Sequence, residues 1–351
     1  MGRIVCTLAL LVSVAGCGGG SSPPARSTGS AAPEQPKPAR PVPLRQLAGA
    51  PIVLSFAGPT LPAYARTILR QGRAAGVILF GDNVTSRAQL RALTRSIQRA
   101  GHGRALICAD QEGGPVRIVP FAAPARAPSQ QGSAALAYAS ARAAAHQVRR
   151  EGVDVVLAPV LDVAGPGAAL AGRAYPGGPA RVARLGAAAV RGYRAGGVAA
   201  TAKHFPGLGG ATRNTDDAPV TTTANLVPFR AAIRAGVPLV MASHARYPAL
   251  DPDHIASQSP AILERLLRGR LGFRGAVITD SLEARAVLAR SSVATAAVRS
   301  LRAGADLVLL TGPGSYPSVY RRLLALARRS PSFRARLRAA YARARTVIGN
   351  P

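Results

Sequence analysis

The chain has 351 residues, 48% of them hydrophobic, and carries a formal charge of +30 from 45 Lys and Arg against 15 Asp and Glu. That length and apolar content exclude a disordered chain and leave room for one large domain or two small ones. The arginines are spread through alanine-rich helical stretches such as 134–152 and 332–347, with few aromatics between them. The charge therefore argues against nucleic acid as partner and for affinity to anionic surfaces.

Residues 1–16 read as an export signal, with Arg3 followed by the apolar run Ile4–Val14. That run is too short to span a bilayer comfortably. It ends in Val14-Ala15-Gly16-Cys17, which resembles a bacterial lipobox and implies cleavage before Cys17 and lipidation of its thiol. The expectation is an exported protein held at the bacterial cell envelope by a lipid anchor at Cys17; the alternative is an ordinary secretory signal. Residues 17–45, rich in Gly, Ser and Pro, read as a tether without a fold. With Cys6 removed and Cys17 lipidated, Cys108 stands alone, so no internal disulfide is expected.

From residue 46 to 351 short apolar runs alternate with longer amphipathic ones. The runs are Ile52–Phe56, Gly76–Phe80, Ala105–Ala109, Val153–Pro159, Val198–Ala202, Val237–Ser243, Ala276–Thr279 and Asp306–Leu310. Each has the character of a parallel strand buried on both faces. Helical patterns over 62–74, 86–100, 132–151, 179–196, 225–235, 260–270, 291–303 and 315–328 separate them, and a last helix covers about 331–348. Strict alternation over eight units predicts an α/β fold, a single-domain (β/α)8 TIM-type barrel. An open doubly wound sheet competes, but no Gly-x-Gly-x-x-Gly turn follows the first strand.

A barrel collects functional residues at the ends of its strands. Asp110, Asp162, Lys203, His204, His244 and Asp280 all lie at such ends, whereas Asp154 and Asp306 lie at strand starts and read as solvent-facing or loop-packing. Lys203 is the only lysine outside the N-terminal 45 residues. Asp280, after Ala276-Val277-Ile278-Thr279, is a candidate carboxylate for glycosidic chemistry, or else a cap on the following helix. The histidines lack ligand spacing and the acids sit on separate strands, so neither metal nor cofactor is expected.

Six blocks in order, Gly76-Val-Ile-Leu-Phe80, Asp110-Gln-Glu-Gly-Gly114, Ala158-Pro-Val-Leu-Asp162, Lys203-His-Phe-Pro-Gly207, Ser243-His244 with Tyr247-Pro-Ala-Leu-Asp251, and Ile278-Thr-Asp-Ser281, carry a family resemblance. The chain resembles the single-domain bacterial β-N-acetylglucosaminidase (β-hexosaminidase) branch of glycoside hydrolase family 3 over about residues 50–330. The resemblance implies a retaining mechanism with Asp280 as nucleophile, and Asp110, Arg173, Lys203, His204 and His244 around the sugar. Residue chemistry agrees, since cations donate to hydroxyl oxygens and a carboxylate accepts from hydroxyl pairs. For His204 a purely structural role is the alternative, and for Glu112 a supporting role in its loop is expected. Tyr175 is a candidate to line the pocket.

One loop departs from the family. Where the branch carries Asp-Ser-His, with the histidine as general acid/base and the aspartate orienting it, this chain has Asn214-Thr215-Asp216. Three readings stay open: Asp216 is the acid/base with a raised pKa, proton donation is lost, or the loop is a polar lid. A carboxylate at that point would repel phosphate, which favours water as acceptor. The expected function is removal of terminal β-linked N-acetylglucosamine from cell-wall or chitin-type oligosaccharides by a monomer. The alternatives are a non-catalytic sugar-binding envelope lipoprotein and a β-glucosidase-like hydrolase.

Overall fold

The computed structural model describes Gly18, Gly19 and residues 41–349 other than 313. The export signal, Cys17 and nearly all of the tether therefore lie outside the described residues. The barrel unit begins at Val42, and a helix, Leu44–Gly49, starts inside the stretch expected to be tether. Leu47 and Ala48 are buried, and with Leu44 they form an i, i+3, i+4 apolar face behind Pro43.

Eight parallel strands close into a barrel. They are Ile52–Leu54, Gly76–Leu79, Leu106–Ala109, Val155–Val156, Ala199–Phe205, Leu239–Ala242, Ala276–Ser281 and Leu307–Leu309. Each pairs with the next in sequence, and the first closes on the eighth through Ile52 opposite Val308. Side chains alternate across every strand. Val53, Ile78, Leu106, Cys108, Met241 and Ile278 fill the interior, while Ile52, Leu54, Val77 and Ile107 face the helices. Cys108 is thus a small apolar filler, and burial pushes its thiol far up.

The helices Ala63–Arg70, Arg87–Ala100, Ala134–Arg150, Pro179–Ala195, Val227–Arg234, Ala261–Arg270, Val293–Ala303 and Tyr316–Arg329 ring the barrel, and Pro331–Gly349 closes it. With few aromatics to pack, neighbouring helices approach on small residues. A Cβ on Gly192 would lie 2.4 Å from the Tyr138 carbonyl oxygen, and one on Gly196 would lie 2.3 Å from Ala145 Cβ.

Further features differ from the sequence expectation, and strand four is confined to Val155–Val156 of the expected run Val153–Pro159. Strand five runs on to Phe205 instead of stopping at Ala202, because Lys203 keeps bonding the segment that follows strand four: its N–H donates to Pro159 and its carbonyl accepts from Leu161. Two short hairpins, Gln111–Gly113 with Val116–Arg117 and Arg246–Tyr247 with Asp251–Ile255, also follow strands three and six.

Candidate functional site

Strand ends three, five, seven and eight, together with the loop at 214–216, enclose a cavity of about 400 Å³. Its wall includes Asp110, Arg173, Lys203, His204, Asp216 and Asp280, residues from distant parts of the chain. Two somewhat larger surface cavities, near 510 and 480 Å³, contain no carboxylate in their walls. The titratable chemistry is gathered in the 400 Å³ cavity.

One side of the cavity is an ion-pair network anchored on Glu112. Its buried carboxylate takes two parallel bonds from Arg173, 2.9 Å from Nε and 2.7 Å from Nη2, and a third contact of 2.6 Å from Lys203 Nζ. Lys203 also reaches Asp110 at 2.5 Å. Burial alone would raise the Glu112 carboxyl, but Lys203 and Arg173 outweigh it and hold the group at about 2. Burial would likewise weaken the two cations; the carboxylates reverse this and raise both. Glu112 is thus the support expected of it, and it leaves N–H groups on Lys203 and Arg173 free to meet ligand hydroxyls.

His204 stands beside that network. Its Nδ1–H donates to Asp162 at 2.7 Å, and Asp162 also accepts the backbone N–H of Leu208 at 2.5 Å. This fixes the ring with Nε2 toward the cavity, 3.9 Å from the Asp280 carboxylate. Asp162 was visible in the sequence as a strand-end acid. Its bond to His204, across 42 residues, was not.

Asp280 ends strand seven, and its Oδ1 accepts the Ser281 N–H at 2.8 Å. Burial would raise its pKa, but His204, that backbone donor and Lys203 together lower it. Asp216 moves the other way. Protein crowding and the Asp280 charge raise it, against a 3.0 Å bond from the Asn214 amide, although its side chain stays open to solvent. The Asp216 loop is docked on the turn after strand seven: Arg285 N–H donates to the Asp216 carbonyl and Ala286 N–H to that of Thr215.

Two expected residues lie elsewhere. His244 is fully buried outside the cavity lining and does not face a sugar. Its Nε2–H donates to the Ser281 carbonyl at 2.8 Å, and Nδ1 accepts from Ser257 at 2.7 Å. Burial keeps it neutral, which suits this tautomer, so it supports the backbone next to Asp280. Tyr175 is buried in the core and not in the wall. Conversely, Glu283, Ser281 and Thr311 form a polar edge that sequence reasoning missed: Glu283 accepts from the Thr311 N–H at 3.0 Å, and Ser281 and Thr311 hydroxyls lie 2.6 Å apart.

Residues 52–347 match the model of the glycosyl hydrolase family 3 N terminal domain. A beta-hexosaminidase of Xanthomonas campestris pv. campestris (strain B100) is 38% identical over 280 residues, 75% of this chain and 84% of the relative. One of Stenotrophomonas maltophilia (strain R551-3) is 37% identical over a similar span. Among solved structures, a family 3 β-N-acetylglucosaminidase from Paenibacillus sp. str. FPU-7 superposes with a TM-score of 0.82 at 32% identity, over 88% of this chain and 63% of that one. The β-N-acetylhexosaminidase from Beutenbergia cavernae DSM 12333 superposes with a TM-score of 0.81 at 31% identity, over 88% and 99%.

Proposed function

The chain belongs to glycosyl hydrolase family 3 and is a glycosidase, and on that premise we propose that it removes terminal β-linked N-acetylglucosamine from cell-wall or chitin-type oligosaccharides with retention of configuration. The names its relatives carry support the N-acetyl preference. The reading rests on one observation above others: two carboxyls, Asp280 and Asp216, share a cavity whose environment pushes one pKa down and the other up. A nucleophile must be ionised and a proton donor must hold its proton, so this split suits the two roles.

In the first step the Asp280 carboxylate bonds to the anomeric carbon as the glycosidic C–O bond breaks. Asp216 gives its proton to the departing oxygen. In the second step Asp216, now a carboxylate, takes a proton from water, whose oxygen displaces Asp280. Lys203, Arg173, Asp110 and His204 hold the hydroxyls, with Glu112 and Asp162 fixing their orientation. The carboxylate character of Asp216 in the second step favours water over phosphate as acceptor. We also place the enzyme at the cell envelope, exported and held by a lipid on Cys17; mass spectrometry of the mature N-terminus checks this.

The test is a panel of aryl glycosides. Asp280→Asn is expected to abolish turnover of an aryl β-N-acetylglucosaminide while leaving the melting curve intact; retained turnover would remove Asp280 from the nucleophile role. Faster hydrolysis of the matching glucoside by the unaltered enzyme would move the preference to glucose. Asp216→Ala should harm substrates with poor leaving groups far more than activated ones, since only the former need a proton. Equal losses on both would end its assignment as the acid.

A further inference from the structure

We propose that a groove on the outside of the barrel, between the helices Pro179–Ala195 and Val227–Arg234, binds a linear polyanion, a flexible chain bearing repeated phosphate groups. The groove encloses about 480 Å³ and is walled by Arg184, Arg191, Arg194 and Arg234 over a floor of alanines. The first three are spaced by seven and then three residues, so they share one face of their helix. All four are exposed. Among the described residues none of them makes an ion pair or a side-chain hydrogen bond, and no carboxylate lines the groove.

The groove continues. Arg194 also walls a second cavity of about 510 Å³ that reaches the base of the barrel and adds Arg274, again exposed and without an acidic neighbour in the wall. Five guanidiniums thus wall two cavities that share Arg194. From Arg184 to Arg194 the helix alone advances about 15 Å. Unpaired like charges around one groove repel one another, and phosphates threaded between them would relieve that repulsion while releasing counterions.

The shape selects among anions. A concave channel cannot lie flat on a bilayer, and its floor is alanine rather than the large apolar side chains that insert between lipids. It also has no aromatic side chain in the part walled by Arg184, Arg191, Arg194 and Arg234, where bases would need a stacking platform. A narrow backbone carrying phosphates fits both constraints. The groove shares no wall residue with the sugar cavity, so occupancy would tether the enzyme to a polymer while leaving the glycosidase site open.

The experiment measures binding of fluorescent inorganic polyphosphate to the full-length protein across a salt series. It compares the unaltered chain with Arg184→Gln/Arg191→Gln/Arg194→Gln/Arg234→Gln. A charge-matched control replaces the exposed Arg95, Arg99, Arg299 and Arg302 by Gln. The groove variant is expected to lose about tenfold or more in affinity, and its slope of log affinity against log salt should shrink by about three. The control should change much less. Melting curves of both variants verify folding. Equal losses in groove and control variants would reduce the effect to net charge and overturn the proposal. So would vesicles of anionic lipid, or single-stranded DNA, binding more tightly than polyphosphate with the same dependence on the groove.

Discussion

At the residue scale, the departure at 214–216 is a paired change rather than a loss. An imidazole acid/base, which the family resemblance puts at this point, is oriented by an acceptor, and an aspartate serves. A carboxyl acid/base needs a donor instead, and Asn214 supplies one to Asp216 at 3.0 Å. Both partners have exchanged hydrogen-bonding sense together. Asn214→Asp alone would set a second carboxylate against Asp216 and raise its pKa further. Activity requires ionised Asp280, whose pKa is lowered, and protonated Asp216, whose pKa is raised. The kcat/KM profile should therefore peak in the acid range and fall as pH rises through the Asp216 value. Asn214→Asp should move that falling limb upward and reduce kcat about 10-fold to 100-fold. Adding Asp216→His to it restores an acceptor-oriented imidazole, so the double variant should outperform the product of the two single losses. Simple additivity, within about 0.5 kcal/mol, would show that the two positions do not act as a unit.

At the scale of elements, two aspartates at strand starts behave in opposite ways. Asp306, at the foot of strand eight, is fully buried and joins Arg268 at 2.6 Å, Arg336 at 3.0 Å and Arg343 at 2.9 Å. It clamps the closing helix Pro331–Gly349 and the helix Ala261–Arg270 to the barrel. Asp306→Asn should cost about 3–5 kcal/mol, because three guanidiniums would be left facing one another; chemical denaturation checks it. Asp154, at the foot of strand four, accepts from Gln98 and the Ile107 N–H and feels the Arg149 charge, yet burial outweighs these and raises it from 3.8 to about 6. The sign follows from linkage. The folded state holds this proton more tightly than the unfolded chain, so ionisation costs nothing below 3.8 and its full amount above about 6. Asp154→Asn keeps an oxygen for both donors and should stabilise by about 1–2 kcal/mol at pH 7–8, discounted for partial exposure, with no gain in strong acid. Neither aspartate's role was legible in the sequence, where both read as solvent-facing or loop-packing. The strands and helices were legible, because buried parallel strands are apolar runs and amphipathic periods mark helices. Asp110 and Asp280 were legible because acids are scarce and these two sit at strand ends, Asp216 was legible only through the family resemblance, and Glu283 was not legible. Partners brought from 61 residues away, as Arg173 is to Glu112, or 37, as His244 is to Ser281, exist only after the barrel closes.

At the scale of the molecule, the charge of +30 is unevenly compensated. Asp110, Glu112, Asp216, Asp280 and Glu283 are committed to the sugar cavity, and Glu151 and Asp306 to ion pairs with nearby arginines. Few carboxylates remain to neutralise the outer helices, so the folded state carries a self-repulsion that the expanded unfolded chain relaxes. Added sodium chloride should screen it and raise Tm, most steeply at low ionic strength, where the screening length is longest. The buried pairs would change little, because solvent ions reach them poorly. A Tm that falls or stays flat with salt would mean that the outer arginines do not govern stability. Polyphosphate should raise Tm beyond sodium chloride at the same ionic strength, because a ligand bound more tightly by the folded groove than by the unfolded chain adds stabilisation by mass action. In the variant lacking Arg184, Arg191, Arg194 and Arg234 that extra rise should vanish while the sodium chloride rise persists, which separates a specific groove from a diffuse field.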